Sequence, residues 1–162
     1  MVDSSLSPSV SPKLHIVLVA PEIPPNTGSI ARLCAATRCR LHLVRPLGFS
    51  LEDRYLKRAG LDYWPYVDLQ VHASWEHFRA AYPDQKLHLF SARASRSFWS
   101  AEYRLGDALV FGSESRGLPP ELLAAYPNDT YVIPIEHPMV RSLNLSNAVS
   151  IVLYEALRQI GG

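Results

Sequence analysis

Three short stretches of the 162-residue chain concentrate side chains that could act on a ligand. The first, PEIPPNTGSIAR (21–32), sets Asn26, Thr27 and Gly28 at the start of a helical pattern, with Arg32 over a turn further on. Unpaired N–H groups and the helix dipole at such a start favour an anion. The second, FGSESRGLP (111–119), ends an apolar run at Gly112, where a ligand can approach the main chain closely. Glu114, Arg116 and Gly117 follow. The third, RSLNLSNAVS (141–150), places Arg141, Ser142, Asn144, Ser146 and Asn147 among leucines at the mouth of the last apolar run. A helix start needs one cap, and Ser146 has the position for it; the other polar residues are surplus. Singly, each stretch has an ordinary explanation: a capped turn with a surface arginine, a Glu–Arg pair between turn glycines, an over-decorated helix start.

These residues must be positioned by the elements around them. Apolar runs at Leu14–Ala20, Arg40–Pro46, Val67–Ser74, 86–92, 108–112 and 130–135 read as strands. Helical patterns fall at about Thr27–Thr37, at EDRYLKRA ended by Gly60, at WEHFRAAY with Ser74 as N-cap, at PPELLAAY, and at Asn147–Ile160 closed by Gly161 and Gly162. Alternating strands and helices predict an α/β fold with a mostly parallel sheet, in one domain over 14–162. Each polar stretch follows an apolar strand, and ligands bind at the carboxyl ends of strands in open α/β sheets. The three loops are therefore expected to share a crevice. The last helix carries apolar residues on more than one side. It is either wholly internal or covered on its second side by another subunit.

Several chemistries are disfavoured. There is no G-x-G-x-x-G after the first strand and no G-x-x-x-x-G-K-[ST]. Ser142 and Ser146 lack His and Asp at recognisable triad spacing. Cys34 and Cys39 match no zinc spacing, and six scattered histidines do not complete one. Cys34 reads as a small core residue. Residues 1–13, Ser/Pro-rich and without an apolar stretch, read as a disordered leader rather than a signal peptide, so a cytoplasmic location without membrane association is expected. Net charge is only +1, but residues 32–58 set seven basic side chains against two acidic ones. Thirteen of the sixteen cations are Arg, which suits bidentate phosphate contacts. A solvated face is an equal alternative.

Taken in order, NTGSIARLCAAT (26–37), FGSESRGLP (111–119) and RSLNLSNAVSIVLYEALRQ (141–159) resemble the three motifs of the SPOUT RNA methyltransferases. EIPPNTG and KRAGLDYW (57–64) resemble the short branch that 2′-O-methylates the wobble nucleotide of tRNA. The resemblance implies a C-terminal deep trefoil knot and S-adenosylmethionine as cofactor, with S-adenosylhomocysteine as product. It also implies a homodimer joined through the knot region and last helix, and the tRNA anticodon stem-loop as partner. It gives the cofactor to Phe90, Gly112, Ile133, Ser142 and Leu143. It matches Asn26, Arg32, Glu114, Ser142, Asn144 and Asn147 to positions that catalyse or hold the site. Ser29, Arg38 and Ser113 depart from the family pattern, which commonly has Asn, Gly and Pro there.

On this reading the enzyme aligns ribose oxygen, methyl and sulfur and relieves the hydroxyl of its proton. A guanidinium is a poor base, so Arg32 is expected to grip the adjacent phosphate and stabilise a developing alkoxide. The alternatives are a relative acting on another tRNA or rRNA site and a non-catalytic RNA-binding module.

Overall fold

The computed structural model describes residues 11–59 and 63–161. Six strands form one sheet: β1 (His15–Val19), β2 (Arg40–Val44), β3 (Asp68–His72), β4 (Leu87–Phe90), β5 (Ala108–Phe111) and β6 (Thr130–Tyr131). Their order is β3-β2-β1-β5-β4-β6, and every pairing is parallel. The helices are α1 (Pro24–Thr37), α2 (Arg54–Ala59), α3 (Trp75–Ala81), α4 (Pro120–Ala125) and α5 (Leu145–Gln159). The expected α/β class therefore holds: a parallel sheet flanked by helices.

Strand alternation splits the core in two. Ile16, Leu18, Leu41, Leu43, Leu109 and Phe111 pack with residues of α1 and α5 on one face. Val17, Val19, Val44, Leu87, Leu89 and Val110 pack with Phe78 of α3 and Leu122 of α4 on the other. Cys34 and Cys39 are buried free thiols, and burial drives the Cys34 thiol well up from its ordinary value. Both act as small core residues.

Several boundaries differ from the sequence reading. α1 begins three residues earlier, because Pro24 and Pro25 occupy its first turn, where no amide partner is required. The last strand covers only Thr130–Tyr131; past it, Val132 bonds the 96–98 segment instead of a neighbouring strand. α5 starts at Leu145, and its cap is Asn144 rather than Ser146: the Asn144 side chain accepts from the amides of Ser146 and Asn147. Ser74 caps α3 as expected, accepting from the His77 amide at 3.1 Å. α5 is not wholly internal: Val149, Val152, Leu153 and Ala156 are buried, whereas Ile151 and Tyr154 are exposed. The leader before residue 11, Gly60 and Gly162 lie outside the described residues; Lys13, placed in the leader, has its amide bonded to the Arg38 carbonyl.

One arrangement had no counterpart in the sequence reading. His15, His42 and His72 stand on β1, β2 and β3, each two residues further along its strand than the register partner of the one before. They form a buried diagonal on the α3 face, with His15 Nδ1 to His42 Nε2 at 2.8 Å and His42 Nδ1 to His72 Nε2 at 2.9 Å. Phe78 and Tyr82 pack edge-on against it.

Candidate active site

Beyond the carboxyl ends of β4 and β5 opens a cavity of about 330 Å³. Phe90 and Phe111, stacked at 4.9 Å, contribute to its lining. Further wall comes from residues 91–93 after β4, the 112–117 loop, Ile133, Ile135, and the 141–143 segment leading into α5. The volume lies at the small end of ordinary ligand sites. All five residues expected to hold a cofactor (Phe90, Gly112, Ile133, Ser142 and Leu143) line it. Among the described residues, no hydrogen bond engages Ile133, Ile135, Ser142 or Leu143. Unpaired main-chain donors and acceptors facing a cavity suit a ligand with a hydrogen-bonding edge, such as a nucleobase.

Gly112 has a more local reason than ligand approach. A Cβ there would overlap the carbonyl carbon of Gly117 and the nitrogen of Leu118. The loop doubles back on itself: Gly117 N–H donates to Ser113 O at 2.9 Å and Ser113 N–H to Gly117 O at 3.3 Å. Ser113 also uses its hydroxyl to accept from the Arg116 amide. A proline at 113 would be stiffer but would lose the donated bond.

The 112–117 loop is tied to the start of α1 by two exchanged carboxylates. Glu114 accepts from the amides of Glu22 at 2.8 Å and Ile23 at 2.9 Å. Glu22 accepts from the amide of Ser115 at 2.8 Å and its hydroxyl at 2.9 Å. Those bonds hold the Glu22 carboxyl below its usual range. Among the described residues no Glu114–Arg116 pair is formed; the Glu114 carboxylate is turned to the start of α1 instead. Asn26 Nδ2 adds a bond to Glu114 at 3.3 Å, and Asn26 Oδ1 accepts from Asn144 Nδ2 at 3.2 Å. Asn144 in turn caps α5. Glu114, Asn26 and Asn144 therefore form one chain that fastens three loops. Asn147 gives its amide to the cap, and its exposed side chain makes no hydrogen bond among the described residues.

Arg32 does not line this cavity. It is exposed on α1, where its guanidinium carbon lies 4.5 Å from the centroid of the Tyr63 ring. Within the basic segment, Arg40 is paired with Asp68 and Lys57 with Glu52. The cavity instead carries three exposed arginines outside that segment, Arg93, Arg116 and Arg141, none ion-paired among the described residues. Arg93 and Glu22 were not singled out from sequence. A signal for Glu22 existed: it stands three residues past the end of β1, as Glu114 does past β5.

Residues 13–154 match the SpoU rRNA Methylase family. The chain is 52% identical over 149 residues to a tRNA (cytidine(34)-2'-O)-methyltransferase of Burkholderia cenocepacia, covering 91% of this chain and 96% of that protein. A solved structure described as "Structural insights into the 2-OH methylation of C/U34 on tRNA" superposes with a TM-score of 0.86 at 53% identity, covering 90% of this chain and 95% of that one. At 24% identity, the AdoMet-bound rRNA methyltransferase of Sinorhizobium meliloti shares the fold, with a TM-score of 0.81 over 93% of this chain and 59% of that one. Two of the three motif loops line the cavity, and the first, expected to share it, is tied to them from outside through Glu22 and Asn26; by the likenesses above, the chain belongs to the SpoU rRNA methylase family.

Proposed function

We propose that the protein is a tRNA 2′-O-methyltransferase that uses S-adenosylmethionine to modify the ribose of nucleotide 34, a cytidine or modified uridine. The observation that carries this reading is the cavity itself: its wall is built from two of the three motif stretches, and its free main-chain groups suit an adenine. Phe90, Gly112, Ile133, Ser142 and Leu143 would hold the cofactor. When bound, the cofactor would supply an activated methyl group for in-line attack by the ribose oxygen, with the neutral thioether as leaving group. Glu114, Asn26 and Asn144 keep the loops fixed, so that this alignment costs no loop ordering at the moment of reaction. Arg93, Arg116 and Arg141 offer cations to the RNA backbone beside the cavity. Arg32 grips the neighbouring phosphate and stabilises the developing alkoxide.

Arg32 and the cavity face different hollows of one chain. That separation, and the exposed Ile151 and Tyr154 on α5, support a homodimer in which one protomer's Arg32 serves the other's cavity. The course of the chain, from β6 past the 112–117 loop to an α5 tied to Asn26, supports a knot in this region. No described helix is long and apolar enough to cross a membrane, and work on tRNA fits a cytoplasmic location for a single domain over 14–162.

The test is labelled S-adenosylmethionine with bulk tRNA and rRNA, followed by mapping of the labelled nucleotide. Label at position 34 of tRNA is the expected result. Label elsewhere, or none, overturns the assignment. Arg32→Ala is expected to abolish transfer while cofactor affinity, read by calorimetry, is retained; loss of cofactor binding in that variant refutes the role given to Arg32.

A further inference from the structure

Arg32 has no acidic partner among the described residues. Asp68 lines the same hollow but is engaged by Arg40 at 2.8 Å. What holds the guanidinium is Tyr63, through its ring at 4.5 Å and its hydroxyl at 3.4 Å. The main chain of Tyr63 is held by the turn that follows it. It precedes a 3-10 turn at Trp64–Tyr66, in which the Tyr66 amide donates to the Tyr63 carbonyl at 2.9 Å and the Val67 amide to Trp64 at 3.1 Å. Trp64 packs against the core, and β3 follows directly. The arm between β2 and β3 therefore delivers one aromatic ring onto the exposed side of α1.

We propose that Tyr63 is a positioning residue for Arg32: its ring fixes the guanidinium in one orientation while leaving the charge uncancelled. A carboxylate at the same place would hold Arg32 as firmly but would neutralise it. An aromatic face attracts a cation through its quadrupole and adds no opposing charge. A cation meant for a phosphate and a developing alkoxide needs that combination. Without the ring, Arg32 samples many rotamers and meets the reacting groups in the right pose less often. The proposal rests on the role given to Arg32 above.

The test compares single-turnover methylation of tRNA, with excess enzyme and saturating cofactor, in Tyr63→Ala, Tyr63→Phe, Arg32→Lys and the Tyr63→Ala/Arg32→Lys double variant. Tyr63→Ala should slow transfer roughly two- to fivefold, the worth of an exposed cation–π contact. Tyr63→Phe should stay within about twofold of wild type, because the ring remains and the 3.4 Å bond is weak. Cofactor affinity and melting temperature should not move. In the Arg32→Lys background the alanine change should cost less than in wild type, since an ammonium keeps some attraction to the ring but has no plane to stack on it. In the free protein, the Arg32 Nε–H resonance should lie upfield under the ring current and lose that shift in Tyr63→Ala. A wild-type rate in Tyr63→Ala, an equal loss in both arginine backgrounds, or a loss explained by lower melting temperature overturns the proposal. If Tyr63→Ala is unimpaired while Arg32→Ala is inactive, only this inference fails. If Arg32→Ala transfers at the wild-type rate, the catalytic role of Arg32 fails first.

Discussion

Mild acid should destabilise this protein through the histidine diagonal. Burial is the main cause of the shift at each site. It pushes His42 down from 6.5 to about 2, with His15, His72 and Arg40 adding repulsion. It pushes His15 to about 4, with Arg40 lowering it further and Asp68 opposing. His72 is lowered too, by burial and by His77. Each folded-state value lies below the unfolded one, so the unfolded chain binds the proton first. Stability is therefore full above about pH 6.5 and falls as pH drops below it. At pH 5, His15 and His42 each cost about 2 kcal/mol by linkage. Because they are coupled, about 3 kcal/mol is the expectation for the pair. Glu22 and Glu155, whose values are lowered by hydrogen bonds, lose their contribution only below about pH 4.5, outside this window. The assay is urea unfolding at pH 7.5 and pH 5 for wild type and His42→Phe. The variant should lose about 1–3 kcal/mol at pH 7.5, because His15 and His72 each lose a buried partner. It should also show a shallower fall to pH 5. A wild-type midpoint that is flat between the two pH values, or an undiminished pH dependence in the variant, refutes the reasoning.

Three further outcomes follow from particular contacts. Arg38 caps α1 in the left-handed region, at φ 57°; Arg38→Gly should raise stability by about 0.5–1 kcal/mol, read as an increase in melting temperature. Glu114→Gln replaces one of two accepting oxygens with a donor aimed at the Glu22 or Ile23 amide; it should cost about 1–3 kcal/mol in chemical unfolding and slow methyl transfer, with the Asn26 bond lost as well when the nitrogen faces Ile23. If Arg93, Arg116 and Arg141 each meet a phosphate, log tRNA affinity against log salt should fall with a slope of about −2 or steeper, and Arg141→Ala should flatten it by about 1.

The α/β class and most strands were legible because buried parallel strands appear as short apolar runs between turn residues. Their ends were less so. The segment 132–135 is apolar like a strand, but its partner is the 96–98 turn, which no local pattern announces. That the polar loops gather in a crevice was legible from their places after parallel strands, and two of the three do line the cavity; which of its residues suit a cofactor was legible only through resemblance. Asn144 and Ser146 are both good caps by type, and the choice fell to Asn144 because its neighbour across the fold is Asn26. The histidine diagonal was read as scatter, since three residues 27 and 30 positions apart align only once the register of β1, β2 and β3 is known. Arg38 departs from the family pattern, and the structure supplies the reason a glycine suits that position: the backbone there has positive φ.

The fastening chain also bears on the order of events at the ribosome. The Glu22–Glu114 exchange joins residues 92 apart, and the Asn26–Asn144 bond spans 118. Contacts of such sequence separation carry a large loop-closure cost and form late. Emergence of β1 and α1 from the exit tunnel leaves Asn26 without either partner, and Asn144 follows only 118 residues later. The candidate pocket is thus a checkpoint of synthesis: a chain terminated before Asn144 can build much of the sheet, yet it lacks the cap that fastens the loops.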